Sequence, residues 1–401
     1  MERSSRRHWS SVAIVLVTCT VLAAGNGASG SDGRDERGRH AIERVLLISV
    51  DGLHQTDLAR FIALNPASTL ARLAERGVQY PNAHATTPSD SFPGLLALVT
   101  GGTPRSTGVY YDDSYDRTLY PPGSNCQGKQ GTECTYFEIA EVDFTKLFSP
   151  LDPDNLPHAK DAQGRCIPVF PHDFIKVNTV FEVIRAAGGH TAWSDKHPAY
   201  DLVNGPSGKG VEDLYTPEIN SPIVNGGTVN GVDLSATLAQ CDGTTNSLPL
   251  SQVGDYTTCG PAVMAYDDVK VQAVINQIRG TPGTIFSTNI VHGEELAAIY
   301  GDPTSGDPIA AARAPNVVIQ PDWGVIYSGS SKKIAEHGGG TLDDTNVALL
   351  VSNPRLRRRT VEAHVTTTQV APTILEALDL DPRALDAVRK EGTKSLPGLG
   401  L

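Results

Sequence analysis

Val45-Leu46-Leu47-Ile48-Ser49-Val50 constrains the fold of this chain more than any other stretch. The run is apolar except for one serine and has strand length, so it reads as a parallel strand buried on both faces. It ends in Asp51-Gly52, and a carboxylate at the end of a buried strand is costly without a partner. A helix is expected from Asn65 to Gly77: Asn65 caps it, Pro66 takes the first position, Leu70 and Leu73 share a face, and Gly77 ends it. After a short strand come Thr87-Pro88-Ser89-Asp90-Ser91-Phe92-Pro93-Gly94 and the apolar stretch Leu95 to Val99. Ser91 therefore starts a short buried helix. A strand end offers a carboxylate, and a helix N-terminus offers a hydroxyl.

Charge and cysteine content narrow the classes. The 401 residues suffice for one large α/β domain, and their net charge of −12 argues against a nucleic-acid polymer as partner. A small phosphorylated substrate is compatible, because a metal site supplies positive charge locally. Arg3, Arg6 and Arg7 precede the apolar run Val12 to Ala24, which reads as a secretory signal too short to span a membrane comfortably. Ser5-Arg6-Arg7-His8-Trp9 weakly resembles a twin-arginine signal, with an ordinary Sec signal as the alternative. Residues 1–40 are thus expected to be signal and linker, and 41–401 one domain without a stable membrane span. Beyond Cys19, five cysteines remain, and export favours disulfides over metal binding. Cys126/Cys134 and Cys241/Cys259 are the simplest pairs, with connectivity open and one cysteine left over.

Val50-Asp51-Gly52, Ser91-Phe92-Pro93-Gly94 and the segment Leu98 to Val109 together resemble the type I phosphodiesterase/nucleotide pyrophosphatase family of the alkaline phosphatase superfamily. The resemblance implies an α/β three-layer sandwich with a mostly parallel central sheet, helices on both faces and long loop excursions. It implies a metal-dependent hydrolase of phosphodiester or nucleotide pyrophosphate bonds, with a nucleotide or other small phosphodiester as substrate. Asp51 matches a metal ligand, and Ser91 matches the nucleophile, itself a metal ligand. Gly94 stands where many members carry a phosphate-contacting Asn, and Thr107 stands where His is usual.

Further along, residues 110–171 and 218–258 read as loop excursions. Tyr110, Tyr111, Tyr115 and Tyr120 are expected to pack the first, with stacking on a flat group as the alternative. A helix is expected over Asn178 to Gly188, with Thr179 and Glu182 at capping-box spacing. The strand Thr191 to Ser194 then presents Asp195, Lys196 and His197 at its C-terminal edge, where open α/β sheets bind ligands. Lys196 and His197 either touch substrate or form a structural pair. A helix over Tyr266 to Ile278, strands at Thr284–Ile290, Asn316–Pro321, Gly324–Tyr327 and Val347–Ser352, a short helix Glu294 to Ile299, and a closing helix Val370 to Leu378 follow. His337 precedes three glycines, which let backbone approach a ligand closely, and it matches the family's late metal-binding His.

The resemblance has a gap. The family's site holds two ions, usually zinc, and its intervening ligand motifs are expected between about Ile290 and Asn316, where only Val291-His292-Gly293-Glu294-Glu295 offers candidates. A serine hydroxyl unassisted at neutral pH is a poor nucleophile. The alternative is therefore a catalytically impaired member of the fold, and weak or absent turnover is expected. A serine esterase is disfavoured, since no Gly-x-Ser-x-Gly elbow is present. Loss of a crossover should also leave apolar surface uncovered on Thr284–Ile290 and Tyr266–Ile278.

Overall fold

The computed structural model describes residues 42–135, 140–143, 146, 149–195, 197–216, 287–291, 293–316, 318–321 and 337–401, with the strand positions Cys19–Thr20, Thr228–Val229 and Val232–Asp233. The expected helix Tyr266–Ile278, the strand Gly324–Tyr327, most of the 218–258 excursion, the linker, most of the signal and Lys196 lie outside them.

The protein is α/β, with helices packed on short β ladders. Gly77–Gln79 pairs antiparallel with Leu350–Ser352 and parallel with Arg359–Thr360. Ala83–His84 runs parallel to Val365–Thr366, and Ala192–Ser194 runs parallel to Asp213–Tyr215. Ser287–Val291 pairs antiparallel with Val318–Pro321. Three of these pairings join residues 77–84 to residues 350–366, so segments toward both ends of the chain share these ladders.

The centre of the core is the helix Ser91–Thr100. Phe92, Leu95, Leu96, Ala97 and Val99 are all buried, and a helix apolar on every side must be enclosed. Each large side chain there contributes about 1.5–3 kcal/mol of burial. The helix ends where Gly101 takes φ 77°, and a Cβ at Gly101 would meet Val388 Cγ2 at 2.7 Å. The closing helix Val370–Ala377 packs against it with Ile374 and Leu375 inward, as expected.

Several expectations need correction. The run Val45–Val50 is a strand only at Arg44–Val45, which pairs antiparallel with Cys19–Thr20. Its alternate residues Leu46, Ile48 and Val50 are 47, 40 and 55% exposed, while Val45 and Leu47 pack on the core. The stretch is thus covered on one face, not two. Asn65 does not open a helix. It closes the preceding one, Gln55–Leu64, and its Nδ2 donates to Phe61 O at 3.0 Å. Ser68 is the true N-cap of Thr69–Glu75, its Oγ accepting from Ala71 N at 3.1 Å. The capping box of Val180–Ala186 is as expected: Glu182 N donates to Thr179 Oγ1, and Thr179 N to Glu182 Oε2.

The excursion 110–171 is more ordered than its composition suggested. Asp113–Asp116 pairs with Thr132–Thr135, and His158–Lys160 pairs with Cys166–Pro168. The disulfide joins Cys126 to Cys166, not to Cys134, which is buried and free. Cys241 and Cys259 lie outside the described residues. A buried ion pair ties this excursion to the helix Pro308–Arg313. Arg313 Nε donates to Asp116 Oδ2 at 2.6 Å, and its Nη1 donates to the carbonyls of Gly108 and Phe174.

Candidate active site

Ser91 is the first residue of its helix, after Asp90 in extended conformation as N-cap. That position aims the hydroxyl out of the core beside the helix's unpaired N–H groups. Ser91 Oγ donates to Asp51 Oδ2 at 3.3 Å. Asp51 comes off the end of the Val45–Val50 run, so two segments forty residues apart in sequence meet here.

His337 reaches the same carboxylate, with its Nε2 3.9 Å from Asp51 Oδ1. Its other ring nitrogen, Nδ1, lies 2.9 Å from Ser89 O. A carbonyl only accepts, so Nδ1 carries the proton and donates. In the neutral ring Nε2 then turns a lone pair toward a carboxylate, and two electron pairs converge. A cation between them resolves that arrangement, and a ring N–H given to a backbone carbonyl is how metal-binding histidines are usually oriented. The glycines after His337 make the approach possible. Gly338 sits at φ 125°, Ser89 N donates to Gly339 O at 2.9 Å, and a Cβ on Gly339 would meet the Asp344 carboxylate.

Asp51, Ser91 and His337 thus converge, as the motifs suggested. They fit part of the shell of one divalent cation: a carboxylate oxygen, an imidazole nitrogen and a hydroxyl. They do not fit two. Among the described residues no group of three or more His, Cys, Asp or Glu side chains is placed to hold a metal. Of the proposed replacements, Glu294 is exposed on the helix Gly293–Tyr300, and His292 lies outside the described residues.

The other candidates fall differently. Gly94 lies in the first turn of the Ser91 helix with open space where a side chain would stand. His197 is 5% exposed and stacks on Tyr200 with ring centroids 6.3 Å apart, which packs it rather than presenting it to substrate. Asp195 accepts from Trp193 Nε1 at 2.9 Å. Tyr110 is buried and its hydroxyl donates to Tyr300 O at 2.6 Å, so it packs the excursion; burial pushes its phenol up to about 12.

Sequence reading missed Tyr200, which lies in the 3-10 turn Pro198–Asn204 and meets Phe92, the neighbour of Ser91, edge to face with ring centroids 5.1 Å apart. Burial, then the charges of Asp51 and Asp195, push its phenol well above the usual tyrosine range, with Asp112 adding to them. Three carboxylates therefore project their field on this spot. A phosphate anion would meet repulsion here unless a cation came with it.

Residues 45–150 match the sequence profile of the family described as Type I phosphodiesterase / nucleotide pyrophosphatase. Among solved structures, murine ectonucleotide pyrophosphatase/phosphodiesterase 5 is 12% identical with a TM-score of 0.45, over 83% of this chain and 94% of that one. An inactive variant of the same murine protein, in complex with AMP, is 12% identical with a TM-score of 0.42, over 83% and 94%. Wild-type alkaline phosphatase PafA is 14% identical with a TM-score of 0.35, over 82% and 94%. No curated protein matches the chain. The profile match spans Asp51 and the helix-start Ser91, and over residues 45–150 the chain is similar to the type I phosphodiesterase / nucleotide pyrophosphatase family.

Proposed function

We propose that the protein is an exported, metal-dependent hydrolase that cleaves phosphodiester or nucleotide pyrophosphate bonds through Ser91. The observation that carries this reading is the hydrogen bond from Ser91 Oγ to Asp51, with His337 Nε2 3.9 Å from the same carboxylate. Asp51 and His337 would hold one divalent cation, probed first as zinc, with the Ser91 hydroxyl beside it. When bound, that ion supplies the positive charge that lets a phosphate anion approach and favours the serine alkoxide.

The chain's own residues do the rest. Asp51 orients the Ser91 proton away from the incoming phosphorus. The Ser91 helix places its first N–H groups where phosphate oxygens would lie. Gly94 leaves room in front of them. A small substrate such as a nucleotide is supported by the family match over residues 45–150. Export is supported by the Arg3/Arg6/Arg7 cluster before an apolar run, and by the Cys126–Cys166 disulfide. Among the described residues no helix is long and apolar enough to cross a membrane.

A partial metal shell makes slow turnover the expectation. Purified protein with added zinc should release nitrophenol slowly from a 4-nitrophenyl phosphodiester, and Ser91→Ala should reduce the rate by about a hundredfold or more. Chelation should lower the wild-type rate in parallel. Equal rates for wild type and Ser91→Ala would remove Ser91 from the chemistry. Zinc-supplemented protein with no turnover at all would favour the impaired alternative.

A further inference from the structure

His337 reaches the site on a turn that is gripped from two sides. On one side Ser89 accepts the His337 Nδ1 proton on its carbonyl and donates its own N–H to Gly339 O, both at 2.9 Å. On the other side Gly340 N donates to Gln320 Oε1 at 2.7 Å. The fit there is close: a Cβ on Gly340 would lie 3.1 Å from Thr87 Cγ2 and 3.3 Å from Gln320 Oε1. A Cβ on Gly339 would lie 3.2 Å from Gln320 Nε2. Gln320 belongs to the strand Val318–Pro321, which pairs with Ser287–Val291 in a two-stranded sheet of its own.

A backbone N–H only donates, so the Gln320 group that faces Gly340 is the amide oxygen. Gln320 is half-buried, which limits the competition of water for that oxygen. The glycines after His337 are permissive joints, so the aim of the imidazole depends on what grips the turn. We propose, resting on the reading that Asp51 and His337 hold a cation, that Gln320 is the positioning residue of His337. Its amide oxygen holds the Gly340 N–H and so fixes the approach of Nε2 to within 3.9 Å of Asp51 Oδ1. It acts through the turn and is no ligand itself. Groups that orient a ligating histidine govern metal affinity by about 10–100-fold. The strand that follows the gap in family motifs thus serves the site by steering a ligand from outside it.

The test uses the full chain, freed of metal by chelation, with zinc as the probe and no substrate. Competition with a chromogenic chelator reads the zinc affinity. Wild type should take up an ion that His337→Ala does not. Gln320→Met keeps the length of the side chain and removes the acceptor, and its zinc affinity should fall about tenfold or more. Val318→Ala is the control for a merely structural role. It trims the same strand where Val318 packs on the cluster of Tyr110, Leu296 and Tyr300, and it leaves the Gln320 oxygen in place. It should keep wild-type zinc affinity even if its thermal transition falls as far as that of Gln320→Met.

Equal zinc affinity in Gln320→Met and wild type would overturn the assignment of Gln320 and leave the cation site standing. Equal losses in Val318→Ala and Gln320→Met would overturn it as well, since stability alone would then govern the site. A wild type that binds zinc no better than His337→Ala would overturn the cation reading itself, and Gln320 with it. Should Gln320→Met fail to fold, Gln320→Asn, which withdraws the oxygen by one methylene, takes its place and must show the same loss.

Discussion

At the scale of single residues, the site is a set of proton assignments. His337 gives its Nδ1 proton to Ser89 O and turns Nε2 toward Asp51. His337→Ala should therefore abolish zinc stimulation of turnover, while its zinc-free residual rate stays near that of wild type; equal zinc stimulation in both would take His337 out of the metal shell. A second imidazole carries a pH dependence of its own. The hydrogen bond that the His172 Nδ1 donates to Asp201 holds the imidazole above its ordinary value against the opposing pull of burial, and the charges of Asp201 and Asp173 add to it. A group whose pKa is raised on folding stabilises fully below its unfolded pKa, and that contribution is lost as pH rises through the folded pKa. His172→Gln should therefore lower the melting temperature more at about pH 5.5 than at about pH 8.5. Equal losses at both would deny the charge of His172 any part in stability.

At the scale of elements, what could be read from sequence was whatever short-range chemistry decides. The capping box of Thr179 and Glu182 and the apolar closing helix Val370–Ala377 needed only local spacing. Asn65 misled because Asn suits either end of a helix, and the helix before it, Gln55–Leu64, had gone unread. The excursion 110–171 looked structureless because its order is long-range: a disulfide across forty residues, and Asp116 paired with Arg313 almost two hundred residues on. No local pattern announces such a pair. Burial alone would raise the Asp116 carboxyl, but Arg313 and the Thr118 hydrogen bonds outweigh it and hold the group below the usual carboxylate range. The side chains of Arg313 and Asp116 are 3 and 1% exposed, so Arg313→Met leaves a buried charge without its partner. It should cost about 3–5 kcal/mol in urea unfolding, and pairing it with Asp116→Leu should recover most of the loss. A single variant within about 1 kcal/mol of wild type would mean that water reaches Asp116.

At the scale of the whole molecule, the motif matches suggested Asp51, Ser91 and His337 as one site, and Ser91 Oγ and His337 Nε2 both face the Asp51 carboxylate. Tyr200 was not legible, since a tyrosine's sequence neighbours carry no mark of which distant ring it will pack against, here Phe92. The loss of cover expected on Thr284–Ile290 and Tyr266–Ile278 concerns residues whose burial lies outside the described ones; among the described residues Leu46, Ile48 and Val50 are exposed. Native protein should bind an apolar-sensing dye before its thermal transition, and Leu46→Lys with Val50→Thr should reduce that signal; unchanged dye binding would place the exposed surface elsewhere. All of this leaves one claim at the centre, that Ser91 is the atom that attacks. Acid-quenching the zinc-loaded protein during turnover of a 4-nitrophenyl phosphodiester, then mapping the adduct by peptide mass spectrometry, tests it most directly. The account expects the phosphoryl adduct on Ser91 alone and its absence in Ser91→Ala. Continued turnover with no adduct on Ser91, or an adduct on another residue, would contradict it.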